Sequence, residues 1–139
     1  MRDGIVAGAA GAALSGLPST ILTVARGDDV FDSTRAVGRV LLPDTDSDLA
    51  LIAAGARAHA AISLGWGVVL ASALPRRHTI LAGVLAALGI VALDLGFVGR
   101  RLPTIAALDP LPEVLNHLAY GAVVGVVLSR RRARAHGRR

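Results

Sequence analysis

Long apolar runs alternate with short charged segments along this chain, and four of the runs are long enough to cross a bilayer. A transmembrane helix takes about 20 mostly apolar residues, with a range of roughly 17 to 25. The runs cover residues 4–25, 49–74, 79–99 and 112–129. The pattern predicts an all-α protein, a bundle of four transmembrane helices followed by a basic tail over residues 130–139.

The first run is the one that a signal peptide would also explain. Its charged start holds only Arg2, offset by Asp3, and its apolar stretch is longer than the roughly 7–15 residues of a signal-peptide core. We therefore interpret the run as a permanent span, with cleavage as the alternative.

The segment between the first two runs has the pattern of a short amphipathic helix over residues 29–42. Asp28 or Asp29 is placed to cap it, and Pro43 ends it. Such a helix is expected to lie at the outer interface of the membrane, and a solvated loop with one helical turn is the alternative. Its two faces are formed by apolar Val30, Val37, Val40 and Leu41, and by charged Asp32, Arg35 and Arg39.

Arginines set the expected orientation, because basic residues are enriched on the cytoplasmic side of membrane proteins. Four spans place both termini on one side, together with the short turn between the second and third spans. That side carries nine arginines: Arg2, Arg76, Arg77, Arg130, Arg131, Arg132, Arg134, Arg138 and Arg139. The other side carries five: Arg26, Arg35, Arg39, Arg100 and Arg101. Both termini are therefore predicted to be cytoplasmic.

Composition supports a membrane protein and removes several classes of chemistry. Charged residues make up 18% of the chain and hydrophobic residues 53%, whereas a typical soluble domain is about 25% charged. The 139 residues include no cysteine, so disulfides, thiolate metal sites and cysteine nucleophiles are excluded. The net charge of +5 is concentrated at span ends without interleaved aromatic residues, which argues against a nucleic-acid partner.

No motif predicts a catalytic site or a metal site. Asp44, Asp46 and Asp48 offer oxygen ligands in alternation, but the Gly and Glu that a calcium-binding EF-hand loop needs downstream are missing. We therefore predict no metal and no enzyme activity that the sequence can specify.

Five ionisable side chains lie inside the predicted spans away from the span ends, where such a group needs a partner or water. They are Arg57, His59, Asp94, His117 and Tyr120. At about 1.5 Å per residue, His59 and Asp94 both lie about 22 Å above the cytoplasmic ends of their helices. The five are therefore expected to form a buried polar cluster in the outer half of the bundle.

Within this cluster we expect Asp94 to pair with Arg57, because an unpaired Arg and an unpaired Asp would be the two most costly groups at membrane depth. Arg57 and His59 point in nearly opposite directions around their helix, so Asp94 can readily pair with only one of them. The alternative pairs Asp94 with His59 or with water, and lets Arg57 extend to the outer headgroups. Either arrangement would fix the register of the second and third spans.

Small residues and the basic tail suggest what the spans contact. Gly4-x-x-x-Gly8 and Gly121-x-x-x-Gly125 match the close-packing motif of membrane helices, and such faces suit a homo-oligomer or a membrane-protein partner. The tail is expected to anchor the topology and to attract anionic lipid headgroups, by about 1 kcal/mol per Arg near the surface. Its arginines nearest the membrane are Arg130, Arg131, Arg132 and Arg134.

Two stretches carry a resemblance: ALSGLPSTILTVARGDDVFDSTRAVGRVLLP near the start, and ALDLGFVGRRLP with HLAYGAVVGVVLSRR near the end. Over most of its length the chain resembles a family of uncharacterised small four-span integral membrane proteins of actinobacteria. The resemblance implies a multi-pass protein of the bacterial cytoplasmic (inner) membrane. It implies no activity, cofactor or functional residue.

The function expected from these features is non-enzymatic: a scaffold, an accessory subunit or an oligomeric membrane component without a cofactor. The first alternative is a small transporter or channel whose polar site includes Asp94, Arg57 and His59. The second is a haem-binding redox protein, because two neutral imidazoles on facing helices can ligate haem iron. In that case His59 and His117 would be the ligands.

Overall fold

The structure is a computed structural model that describes residues 1–137, without the side chain of His136, and this part of the chain contains helices and no strand. Seven α-helices follow one another: α1 Arg2–Leu14, α2 Leu17–Arg26, α3 Asp32–Leu41, α4 Asp48–Ala73, α5 Thr79–Leu93, α6 Pro103–Ala106 and α7 Pro110–His136. Because α7 runs on through the arginines, most of the predicted tail is helical.

Four helical segments are long and apolar enough to cross a membrane, which confirms that the chain has four candidate spans. They are Arg2–Arg26, Asp48–Ala73, Thr79–Arg101 and Pro110–Ala135. Each lies at one of the four apolar runs of the sequence. The first span is built from two α-helices and the third from an α-helix followed by other helical turns, and both interruptions have local causes.

The first span is interrupted at Ser15 and Gly16, between α1 and α2. Pro18 lies in the first turn of α2. Proline is tolerated at this position, but because it has no N–H it cannot continue the hydrogen bonding of α1 into α2. The hydroxyls of Ser19 and Thr20 both donate to the main-chain oxygen of Gly16. Proline therefore divides this span, and the two hydroxyls add to the backbone bond that Gly16 already accepts from the N–H of Thr20.

The third span continues beyond α5 as a π-helical turn, Asp94–Val98, and then a 3-10 turn, Gly99–Arg101. The N–H of Gly99 donates to the main-chain oxygen of Asp94, five residues earlier. A β-carbon on Gly99 would stand 2.8 Å from that oxygen. The wide turn thus begins at the one acidic residue of this span and ends at a glycine that tolerates the close approach.

The spans pack in the order α4, α1, α7, α5, and glycine lies at each contact in this series. The pairs are Gly67 with Gly8, Gly11 with Tyr120, and Gly83 with Gly121. Small residues allow helix backbones to approach closely in lipid, where no hydrophobic force drives helices together. Larger side chains of α4, among them Trp66 and Leu70, pack into the same core as Ile90 of α5.

Helix α3 is shorter than the helix predicted over residues 29–42, and it packs against the first turns of α4. Gly38 lies against the main-chain oxygen of Leu51, and Gly55 lies against that of Thr34. These two contacts run in opposite order along the chain, so α3 and the outer part of α4 are antiparallel. Glycine on each helix makes the close approach possible.

The start of α3 is delayed because Asp29 forms a turn of its own. Its carboxyl accepts a hydrogen bond from the N–H of Phe31, 2.8 Å away, and one from Arg35. These two bonds hold the pKa of Asp29 below its usual range. Val40 and Leu41 of the predicted apolar face stay exposed, so that α3 keeps an apolar side that a membrane interface would cover.

Candidate functional site

The side chains of Asp94 and His117 join the third span to the fourth. Oδ2 of Asp94 lies 3.1 Å from Nε2 of His117, and both side chains are partly buried. Asp94 opens the π-helical turn, and single π-turns inside helices often occur at functional sites. This pair is therefore the centre of the candidate site.

The contacts of His117 show where its protons lie. Nδ1 is 2.7 Å from the main-chain oxygen of Glu113, and because a carbonyl only accepts, Nδ1 must carry a proton. A hydrogen bond between Nε2 and Asp94 needs one more proton, on either atom. The pair therefore shares one proton and has no net charge, so that neither group is left as an unpaired charge inside the candidate spans.

Glu113 belongs to the same cluster, although the sequence pattern placed it only near the start of a span. Its main-chain oxygen accepts from His117 Nδ1, and its carboxyl lies near the hydroxyl of Ser33 in α3 and near the imidazole of His117. Glu113 and His117 are four residues apart and share one face of α7. That spacing was the signal in the sequence that could have found Glu113.

The expected pair of Asp94 with Arg57 is wrong, because Asp94 binds His117 instead. Arg57 and His59 are exposed on α4, and within residues 1–137 the Arg57 side chain has no ion-pair or hydrogen-bond partner. The physical reason is that α5 packs against α7, not against the part of α4 that carries Arg57. The equal depth expected from the sequence did not make these residues neighbours.

Tyr120 is buried as expected, and it links the fourth span to the second. Its hydroxyl donates to the main-chain oxygen of Ser63 in α4, and only 6% of the residue is exposed. The ring lies directly on Gly11 of α1, so any side chain at that glycine would collide with it. Tyr120 therefore contacts two neighbouring spans at once.

The two histidines considered as haem ligands are both engaged in other contacts. Nδ1 and Nε2 of His117 face the Glu113 carbonyl and Asp94. Nε2 of His59 lies 3.3 Å from the main-chain oxygen of Ala12 and must donate to it. To bind iron, His117 would have to give up one of its two bonds, so this arrangement does not favour the pair as haem ligands.

All four glycines of the predicted packing motifs lie in contacts within the chain. Gly4 and Gly8 face α4, and Gly121 and Gly125 face α5. Other glycines of the spans face outward, with open space where a side chain would be. They include Gly65, Gly89 and Gly96. The surface left for a partner is therefore different from the two motifs that the sequence singled out.

The arginines of the predicted anchor fall into two groups. Arg131 forms an ion pair with Asp3 at the start of α1, and Arg132 donates to main-chain oxygens at the end of α4. Those oxygens belong to Ala71, Leu74 and Pro75. Arg130 and Arg134 are exposed. Two of the four thus hold spans together, a role that the sequence did not reveal.

At the opposite end, Asp109 connects the first and fourth spans. Its carboxyl caps α7 by accepting from the N–H of Leu111 at 3.0 Å, and it pairs with Arg26 at 2.6 Å. The capping bond, and then the arginine, hold the pKa of Asp109 below its usual range. The bundle is therefore tied by ion pairs at both ends, outside the apolar part of the spans.

Comparisons with protein-family models, with curated proteins and with solved structures gave no match. The structure defines a class of protein: within residues 1–137 it is all-helical, with four helices that are long and apolar enough to span a membrane. The contacts above, and not a relative, are the basis for proposing a function.

Proposed function

We propose that the chain is a non-enzymatic integral protein of a bacterial inner membrane, with both termini cytoplasmic, that serves as a scaffold or accessory subunit. The proposal rests on the way in which polar side chains inside the bundle bond to neighbouring spans. Asp94 with His117, and Tyr120 with Ser63, each join one span to another. Polar groups whose bonds are filled inside the bundle contribute to packing and leave little capacity for a substrate.

The outer surface of the spans supports assembly with copies of the same chain or with another membrane protein. In its most apolar 18-residue window, the third span has only 17% of its residues buried within the chain. A β-carbon added at Gly65 on α4 or at Gly89 on α5 would meet no atom within 4 Å beyond the nearby backbone of its own helix. A neighbouring membrane helix can approach closely at such positions.

The test is the mass of the purified protein in mild detergent, measured by light scattering. We expect the wild type to be larger than one chain, alone or with a second membrane protein. Gly65→Leu or Gly89→Leu should shift the mass to that of one chain without lowering the thermal unfolding temperature of that chain. Gly16→Leu, at another glycine with open space around it, is the matched control and should leave the mass unchanged. A wild type that is strictly monomeric and carries no partner would contradict the proposal.

A small proton-linked transporter is the second candidate, and one observation favours it. Asp94 and His117 share a single proton beside a π-helical turn, and Glu113 lies next to them. A proton-carrying pair of this kind at membrane depth is typical of proton pathways. Arg57, which the sequence placed in this pathway, is not part of the pair.

Proteoliposomes with a pH-sensitive dye inside distinguish the two candidates. The transporter predicts a proton flux above that of empty liposomes, which Asp94→Asn abolishes while the protein still folds. The scaffold predicts no flux above empty liposomes for either protein. A flux that survives Asp94→Asn would remove the pair from the transport pathway.

A further inference from the structure

A cleft of about 540 Å³ opens at the arginine end of the bundle, where the turn between α4 and α5 meets the fourth span. Its lining differs between its two parts. One end is cationic and belongs to the turn, and the rest is mostly apolar and follows the first turns of α5. The lining residues are Arg76, His78, Thr79, Ile80, Leu81, Val84 and Ser129.

The charge of Arg76 is not neutralised inside the protein. Within residues 1–137 its guanidinium has no carboxylate partner, whereas Arg131 binds Asp3 and Arg132 caps the end of α4. Arg76 also lines a second cleft, of about 720 Å³, between α1, α4 and α7. The one acid that lines this second cleft, Asp3, is bound by Arg131 and forms no ion pair with Arg76 within the described residues. A cation without an acidic partner at the junction of two clefts is suited to an anionic group from outside the chain.

The apolar part of the cleft leads along α5 away from the turn. Val84 lies five residues beyond Thr79, about 8 Å further along the helix axis. Leu81, Leu85 and Leu88 continue this surface, and all three are exposed on the described chain. An extended hydrocarbon chain that starts near Arg76 therefore has a continuous apolar surface to follow.

We propose that this cleft binds one anionic glycerophospholipid, with its phosphate against Arg76 and His78 and an acyl chain along Ile80, Leu81 and Val84. Arginine binds phosphate oxygens through charge-assisted hydrogen bonds. The short turn between two spans lies at the height of the headgroups when those spans cross the membrane. The inference rests on the membrane orientation proposed above and is independent of the scaffold role.

Native mass spectrometry of the detergent-purified protein tests it, with phosphatidylglycerol as the probe. We expect one tightly retained phosphatidylglycerol per chain and much weaker retention of phosphatidylcholine. Arg76→Gln should weaken retention about tenfold, the effect of losing one hydrogen bond between charged groups. Arg77→Gln is the matched control: it removes the same charge from the same turn, but Arg77 does not line the cleft, and retention should be unchanged.

A second pair of variants tests the apolar part of the cleft. Val84→Trp fills it and should lower retention. Leu93→Trp is the control and should not, because Leu93 is exposed on the opposite side of α5, nine residues further along, and lines neither cleft. Equal losses in Arg76→Gln and Arg77→Gln would overturn the proposal in favour of diffuse attraction to basic residues. Equal retention of phosphatidylcholine would overturn it as well. Displacement of the lipid by millimolar inorganic phosphate would identify a phosphate site in place of a lipid site.

Discussion

Gly67 of α4 and Gly8 of α1 meet backbone to backbone: a β-carbon on Gly67 would stand 2.5 Å from Cα of Gly8. Two residues away on the same helix, Gly65 faces open space. One glycine is therefore required by a neighbouring helix, and the other is free of the chain's own contacts. The two provide a matched pair for testing how α1 and α4 pack.

Gly67→Ala should destabilise the bundle and Gly65→Ala should stabilise it. The first forces α1 and α4 apart and is expected to lower the free energy of unfolding by about 1–3 kcal/mol. The second replaces glycine in a helix interior without a clash and should raise it by up to about 1 kcal/mol. Unfolding of both variants in detergent, followed by circular dichroism, checks the opposite signs. Two changes of the same sign would contradict this contact.

Asp94→Ala should weaken the link between the third and fourth spans. Loss of the bond to His117 is expected to lower the free energy of unfolding by about 0.5–2 kcal/mol, the range for polar pairs between membrane helices. Asp94→Asn keeps a side chain that can bond Nε2 and should cost less than Asp94→Ala. The same unfolding assay measures both variants. An Asp94→Ala protein as stable as the wild type would show that the bond does not hold the spans.

Arg132→Gln should destabilise the protein, whereas Arg134→Gln should not. Arg132 donates to main-chain carbonyls at the end of α4, where the helix itself supplies no donor, and Arg134 is exposed two residues later. We expect a loss of about 1–3 kcal/mol for Arg132→Gln, because carbonyls left without a donor at a helix end are costly. The readout is the thermal unfolding temperature, at both low and high salt. Equal effects of the two changes would mean that general charge, not the helix cap, is what stabilises this end.

Acid should weaken the tie that Asp109 makes between the first and fourth spans. The carboxyl has a lowered pKa in the folded protein because it accepts from Leu111 N–H and Arg26. Its contribution to stability is therefore complete above its ordinary pKa of 3.8 and is lost as the pH falls from there through the lower folded value.

Asp109→Asn tests this pH dependence, because an asparagine can still cap α7 but does not titrate. Between about pH 5 and about pH 3, near the ordinary range for an aspartate, the wild type should lose more stability than the variant. Thermal unfolding at the two pH values supplies the comparison. Identical losses in the two proteins would show that Asp109 does not contribute to the acid sensitivity.

The sequence predicted the spans well because their signal is local. Residues 4–25 and 79–99 are apolar runs whose length matches a bilayer, and the structure has a candidate span at each. Proline also acts locally, and Pro18 lies at the break in the first span. These features depend on the residues within one helix, so no knowledge of its neighbours is needed.

The pairing of side chains could not be read in the same way, because it depends on which helices are neighbours. Depth placed Arg57 and Asp94 in one layer, but α5 packs against α7, where His117 is the residue within reach. The role of Arg132 was hidden for the same reason: in the sequence it is one arginine of a basic tail. Its partners are the main-chain oxygens of another helix, and the identity of their residues carries no signal.

The glycines illustrate both situations. Gly4 and Gly8 were recognised from a local motif, and the structure shows that they face α4. The sequence could not say whether such a motif packs inside the chain or against a partner. Gly65 and Gly89 face outward, and neither belongs to such a motif, because neither has a glycine four residues away in the sequence. Only the arrangement of the helices shows that these two positions are open.

Accessibility of single cysteines in intact cells tests the central claim, four crossings with both termini in the cytoplasm, most directly. The natural chain has no cysteine, so Asp46→Cys and Ala135→Cys each carry one thiol and no background. We predict that a membrane-impermeant maleimide labels Asp46→Cys in intact cells and labels Ala135→Cys only after the membrane is opened. Labelling of Ala135→Cys in intact cells, or labelling of Asp46→Cys only after the membrane is opened, would contradict the account.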